Sequence, residues 1–308
     1  MKNLRVLFMG SPEIASEYLR FLIANKLNLI GVYTQPPRPK GRGMSIKKSS
    51  VYMLAEKNNL PIYCPKNFTE SISINDFLKL KPDIVIVVAY GIILPKTILD
   101  FPKFGFINVH KSLLPRWRGA SPVEHALLHG DKQTGVTIFK IEEKLDAGPI
   151  ISLSKLKIDK EINKSELYTK LIKLGKKLLI KKLNEIFEKK IKYIKQKEKN
   201  ITYANKINTK NTKIDFSKSV NEVFNQIRAF SPKPGAWFIY NNERIKILKC
   251  KKIIIKSKKS VILNEYFHIG CKNGIIIPIT IQKEGKNPMN VKDFLRGYSF
   301  TVGQKINA

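Results

Sequence analysis

The stretch D-I-V-I-V-V-A, Asp83 to Ala89, restricts the fold more than any other part of the chain. It has no polar face, so a strand built from it must be covered on both sides, as a central strand of a parallel sheet is. Comparable runs occur at Leu4 to Met9, Leu29 to Tyr33, Gly105 to Val109, Gly135 to Ile141 and Ile150 to Ile158. Helical patterns separate the first of them: Ile14 to Leu22, Val51 to Asn58, Ile74 to Leu80 and Pro95 to Leu99. Strands alternating with helices predict an α/β domain with an open, mostly parallel sheet. After the first strand, Gly10 turns the chain, Ser11 is the expected N-cap, and Pro12 and Glu13 open the helix. This βα opening lacks G-x-G-x-x-G and Walker patterns, so neither NAD nor ATP binding is indicated.

Candidate chemistry sits in F-I-N-V-H-K-S-L-L-P-R-W-R-G-A-S-P, Phe106 to Pro122. Asn108 and His110 lie two apart at the end of a strand and leave the sheet on one side, where α/β folds open their ligand crevice. Tyr90-Gly91, behind the central strand, should open into the same crevice. Ser112, Leu113, Leu114 and Pro115 are too apolar for an ordinary exposed turn and suggest a lip for a flat organic ligand. A histidine at a strand end is more often structural than catalytic. Asp146, in E-E-K-L-D-A-G-P behind the Gly135 to Ile141 run, favours the catalytic alternative, because adjacent strands could bring it to His110. His125 and His129, at i and i+4 on a short helix from Pro122 to Gly130, have no third ligand in view and are read as packed or solvated.

The chain of 308 residues is long enough for two cores. The expected division is a first domain over 1–189, a basic linker over 190–206 and a second domain over 207–308. In the second, a helix at Val220 to Phe230 precedes short strands at 236–240, 244–248, 252–255, 261–263 and 275–281, suggesting a small barrel. With 57 basic against 24 acidic residues the net charge is +33, which favours a polyanionic partner, although a lysine-rich genome composition would leave the same trace. The basic residues cluster. Thr34 to Ser49 carries Arg38, Lys40, Arg42, Lys47 and Lys48 without an acid, broken by Pro and Gly, and is expected to be an irregular finger for phosphates. Three cysteines without CxxC spacing fit a reduced cytoplasmic setting better than a zinc site. No membrane span or signal peptide is expected.

Taken together, V-L-F-M-G-S-P, T-Q-P-P-R-P-K-G-R-G, V-V-A-Y-G, N-V-H-K-S-L-L-P-R-W-R-G-A-S-P, L-D-A-G-P, I-R-A-F-S-P-K-P-G-A-W-F and E-G-K-N-P-M-N-V-K-D-F-L-R-G-Y resemble the methionyl-tRNA formyltransferase family. The N-H…SLLP…D set marks folate-dependent formyltransferases in general; the basic loop and the C-terminal motifs point to the tRNA branch. The resemblance implies a Rossmann-like catalytic domain and an OB-like tRNA-binding domain. It implies formyl transfer from 10-formyltetrahydrofolate to the α-amino group of methionyl initiator tRNA, with no metal and no nucleotide. His110 would act as base and acid, Asn108 as oxyanion donor and Asp146 as orienter. Ser112 to Pro115 would line the folate pocket, and Arg38, Lys40 and Arg42 would contact tRNA. A monomer is expected. Lys111, where a small residue is usual, and Lys144, in place of a common glycine, depart from the pattern. A formyltransferase for a small amine would share the N-H-D set but leave the basic loop without a purpose. A non-enzymatic RNA-binding protein would not need Asn108, His110 and Asp146.

Overall fold

The computed structural model describes residues 4–40, the last without its side chain, and 44–306. Two compact units are distinguished. One comprises the chain up to Ala120, Gly135–Leu156 and Lys170–Tyr203; the other comprises Ser121–Thr134, Lys157–Thr169 and the chain from Ala204 onward.

In chain order the elements to residue 187 are β1 (Val6–Gly10), α1 (Glu13–Ala24), β2 (Leu29–Tyr33), β3 (Arg38–Lys40), β4 (Ser45–Lys47), α2 (Ser50–Lys57), β5 (Ile62–Tyr63), α3 (Ser71–Lys79), β6 (Ile84–Val88), α4 (Lys96–Leu99), β7 (Phe106–His110), α5 (Pro122–Leu128), β8 (Gln133–Lys140), β9 (Ile150–Lys157) and α6 (Lys164–Phe187). Among the described residues the main sheet has seven strands in the order β5-β2-β1-β6-β7-β8-β9. Its pairs are parallel from β5 to β7, and β8 runs antiparallel to β7. The order reverses between β1 and β6, a Rossmann-like arrangement that opens a crevice at the carboxyl ends of those strands. Both strands are buried along their whole length, as their two-sided apolar sequences require. On one face Leu7, Met9, Val85 and Val87 pack with Phe77, Ile98 and Phe106. Tyr90 joins this core at 3% exposure, so its side chain does not open into the crevice as expected.

Two further expectations are corrected. Pro12, not Ser11, is the N-cap of α1, and no side chain caps it. The Ser11 hydroxyl is drawn instead to the next βα loop, accepting from the Gln35 amide at 3.0 Å and the Thr34 hydroxyl at 3.3 Å. The basic stretch Thr34 to Ser49 is not irregular throughout: β3 and β4 form an antiparallel ribbon with Arg38 opposite Lys47. A two-stranded ribbon leaves one edge of each strand unpaired, which lets it carry Pro39. Arg38 is exposed on this ribbon, while the side chain of Lys40 and all of Arg42 lie outside the described residues.

The second unit holds α5, α7 (Val220–Phe230), β10 (Ala236–Tyr240), β11 (Glu243–Ile253), β12 (Ile269–Cys271), β13 (Gly274–Lys283), β14 (Met289–Asn290) and α8 (Val291–Leu295). The strands form an antiparallel OB-like sheet, β10-β11-β13-β12, with β14 on β13. Ser219 and Glu222 close a reciprocal capping box on α7, which buries Val220, Val223, Phe224 and Ile227. The two strands expected within 244–255 are one strand, because register shifts near Ile247 to Cys250 let β11 bend without breaking. Val261 and Ile262 make only isolated bridges.

Helix α6 shows how tightly the first unit is packed. A Cβ added at Gly175 would lie 2.1 Å from Tyr18 Oη and 3.3 Å from Val109. Tyr18 is fully buried and its hydroxyl has no hydrogen-bond partner among the described residues. Glycine costs a helix interior about 1 kcal/mol relative to alanine, whereas overpacking a core costs about 1–3 kcal/mol. Gly175→Ala is therefore expected to lower stability by about 1 kcal/mol in denaturant melts. Tyr18→Phe in the same background should recover most of that loss, because it removes the atom in the way and an unsatisfied buried hydroxyl.

Candidate active site

β7 delivers Asn108 and His110 to the carboxyl end of the sheet as expected. His110 is 6% exposed, while Asn108 is half-buried and makes no side-chain hydrogen bond among the described residues. The imidazole is engaged on both edges. Nε2 donates to the Trp117 carbonyl at 2.8 Å. A carbonyl only accepts, so this contact keeps the proton on Nε2 and leaves a lone pair on Nδ1 in the neutral ring. Nδ1 faces Asp146 Oδ2 at 3.6 Å, beyond a direct hydrogen bond but close enough to pair with an imidazolium. Burial pushes the His110 pKa below its ordinary value of 6.5; Asp146 and the Trp117 carbonyl oppose the shift, and the Lys111 ammonium adds to it. Lys111, flagged as a departure, is itself buried, and Lys144 is exposed.

The strands that lead to His110 and Asp146 are neighbours, as expected, but adjacency alone does not bring the two residues together. Because β8 is antiparallel to β7, with His110 opposite Thr137 and Ile107 opposite Lys140, the exit of β8 lies at the far end from His110. The turn between β8 and β9 must double back. It does so with Asp146 in the left-handed region, at φ 47°, and with Gly148 where a Cβ would sit 1.8 Å from the Lys140 carbonyl oxygen. The Asp146 carboxylate is fixed by the Gly119 amide, which donates to Oδ2 at 2.7 Å.

The lip is a self-braced loop. Ser112 Oγ donates to the Arg116 carbonyl at 2.5 Å; Thr137 Oγ1 donates to the Ser112 carbonyl at 2.7 Å and accepts from the Leu114 amide at 3.1 Å. Ser112 and Leu114 are buried, so the half-buried Leu113 and Pro115 are the members with apolar surface to offer. The Trp117 amide donates to Thr202 Oγ1 at 2.9 Å, and the Arg116 guanidinium lies 4.3 Å from the centre of the Trp117 ring. Gln196 is buried and spans the back of the site. Its amide donates to the carbonyls of Asp146 at 2.9 Å and Gly148 at 2.8 Å, and its oxygen accepts from Arg118 Nη2 at 2.8 Å. Sequence reading passed over Thr202 and Gln196 because they fall in the lysine-rich stretch taken as a linker. Away from the site, His125 donates to the Asn205 carbonyl and His129 to the His125 carbonyl. Among the described residues no group of three His, Cys, Asp or Glu side chains is placed to hold a metal, and no helix is long and apolar enough to cross a membrane.

Comparison with known proteins fits this geometry. Residues 2–183 match the formyl transferase family model, and residues 206–299 match that of the formyl transferase C-terminal domain. The chain is 42% identical over 303 residues to a methionyl-tRNA formyltransferase of Wolbachia pipientis subsp. Culex pipiens, covering 98% of this chain and 99% of that protein. It is 41% identical to the Ehrlichia chaffeensis protein of the same name, covering 97% and 98%. Among solved structures, WlaRD, a sugar 3N-formyl transferase crystallised in the presence of dTDP and 5-N-formyl-THF, superimposes with a TM-score of 0.68 at 25% identity, covering 92% of this chain and 99% of that one. Two matched domains, full-length similarity and a folded N-H-D site lead to one assignment: the chain belongs to the methionyl-tRNA formyltransferase family.

Proposed function

We propose that this chain transfers the formyl group of 10-formyltetrahydrofolate to the α-amino group of methionyl initiator tRNA. One observation carries the reading: in a chain with near full-length similarity to methionyl-tRNA formyltransferases, a buried imidazole faces a carboxylate at 3.6 Å, with the half-buried Asn108 amide on the same strand. With its Nε2 proton held by Trp117, His110 offers the Nδ1 lone pair to the incoming amine. As the amine nitrogen bonds to the formyl carbon, its proton passes to Nδ1, and Asp146 stabilises the imidazolium. The Asn108 amide donates to the developing oxyanion. Cleavage of the bond from carbon to N10 then returns the proton from the imidazolium to N10, so charge and atoms balance. Leu113 and Pro115 supply apolar contact for the folate, a donor type supported by the formylated folate in the WlaRD crystals. The ribbon of β3 and β4 carries Arg38, and with Lys40 and Arg42 provides phosphate contacts for the tRNA.

In a formyl-transfer assay, charged initiator tRNA is expected to be formylated, with elongator methionyl-tRNA and amino sugars poor substrates. Replacing Arg38, Lys40 and Arg42 together should flatten the salt dependence of tRNA binding by about 2–3 in log-log slope while sparing folate affinity. An unchanged slope would contradict the contact. Asn108→Ala should lower kcat by about 10²–10³-fold with little effect on folate KM; equal losses in both would argue against an oxyanion role. The His110 imidazole, followed by NMR, should titrate below 6.5. Asp146→Asn removes a charge that favours the imidazolium, so the midpoint should move lower still; an upward shift would reverse the assignment.

A further inference from the structure

The hydrogen bonds behind the site converge on one side chain that no reading of the reaction assigns. Gln196 is 7% exposed, and all four of its hydrogen-bonding positions are filled by the two segments that make the acid/base pair. Its nitrogen grips the Asp146 and Gly148 carbonyls, and its oxygen receives the Nε and Nη2 of Arg118 at 3.2 and 2.8 Å. Arg118 lies between the two main-chain groups that address the pair, since the Trp117 carbonyl holds His110 and the Gly119 amide holds Asp146. Asp146 has a backbone conformation that non-glycine residues adopt at a cost, so its place depends on restraint from neighbours.

We propose that Gln196 is a positioning residue: by tying Arg118 to the Asp146–Gly148 backbone it fixes the distance between the Asp146 carboxylate and His110. This rests on the reading of His110 and Asp146 as the reactive pair. The role requires a neutral amide. A carboxylate there could still accept from Arg118 but would turn an oxygen toward two carbonyls, and an apolar side chain of equal length would leave both carbonyls and Arg118 unsatisfied. The charged groups that bear on His110 are Asp146 and Lys111, with the Trp117 carbonyl as its neutral partner. Loosening the brace should therefore be read at His110 as a weakened carboxylate effect.

The test uses the full-length enzyme with Gln196→Met and Gln196→Glu, each checked by thermal melting. Gln196→Met should lower kcat by about 10- to 100-fold, the loss typical of a misplaced catalytic group, while folate KM stays within about two-fold. Its His110 midpoint, followed by NMR, should fall below that of the wild type, which a general loss of stability would not produce. Gln196→Glu should be slowed at least as much. Wild-type kcat and an unshifted His110 midpoint in Gln196→Met would overturn the proposal. Wild-type kcat in a folded Gln196→Glu would do so too, and that variant decides the matter if the methionine variant does not fold. Asp146→Asn separates the two levels of the argument. If it retains wild-type turnover, the acid/base reading fails; if it is slow while both Gln196 variants are fast, only the brace fails.

Discussion

One buried imidazole, bound on one edge by a main-chain carbonyl and facing a carboxylate on the other, is the interaction on which the site depends. Desolvation alone favours the neutral ring, and the Trp117 carbonyl decides which nitrogen keeps the proton. The result is an imidazole whose neutral form is favoured by burial, with a carboxylate facing the nitrogen that would take up a proton. At 3.6 Å the carboxylate is near enough to stabilise an imidazolium, while Gly119 supplies its direct hydrogen bond. Burial and Asp146 thus act on His110 in opposite senses, the first favouring the neutral ring and the second the imidazolium.

That arrangement constrains the backbone more than the side chains. The sheet changes from parallel to antiparallel at β8, which carries the chain away from His110, so Asp146 can return only through a tight reversal. Gly148 has no room for a Cβ against Lys140, and Asp146 takes a left-handed conformation that aspartate tolerates better than most residues. The bonds from Gly119 and Gln196 then hold a turn whose own backbone does not favour it. The lip follows the same logic, with Thr137 and Thr202 tethering it from opposite ends.

The parallel sheet was legible because β1 and β6 are buried on both faces and the sequences of Val6–Gly10 and Ile84–Val88 say so directly. Asn108 and His110 were legible because a period of two places them together at the end of β7. The pairing of Asp146 with His110 could be anticipated, but its route could not, since an antiparallel neighbour leaves no signature in a strand buried on both faces, as β8 is over most of its length. Ser11 misled because a serine before proline resembles a cap, while its hydroxyl is taken by residues 24 and 23 positions away in sequence. The β3–β4 ribbon was hidden by its proline. Gln196 and Thr202 were invisible for a general reason: a single polar residue in a lysine-rich stretch looks solvated until tertiary structure supplies partners 50 and 85 residues distant.

Charge adds a constraint that internal structure cannot remove. Even if each of the 24 acidic residues neutralised one of the 57 basic residues, 33 cations would have no carboxylate in the chain. The ion pairs that do form, such as Lys176 with Glu17 or Lys182 with Glu185, are partly exposed, and pairs of that kind contribute about 0–1 kcal/mol each. The uncompensated charge therefore opposes compaction within each unit, over distances limited by a screening length of about 8 Å at physiological salt. A polyanion relieves that repulsion wherever it lies along the basic surface, and the gain is spread over many weak contacts rather than concentrated at one. Discrimination among polyanions cannot come from such contacts and requires groups held in fixed places.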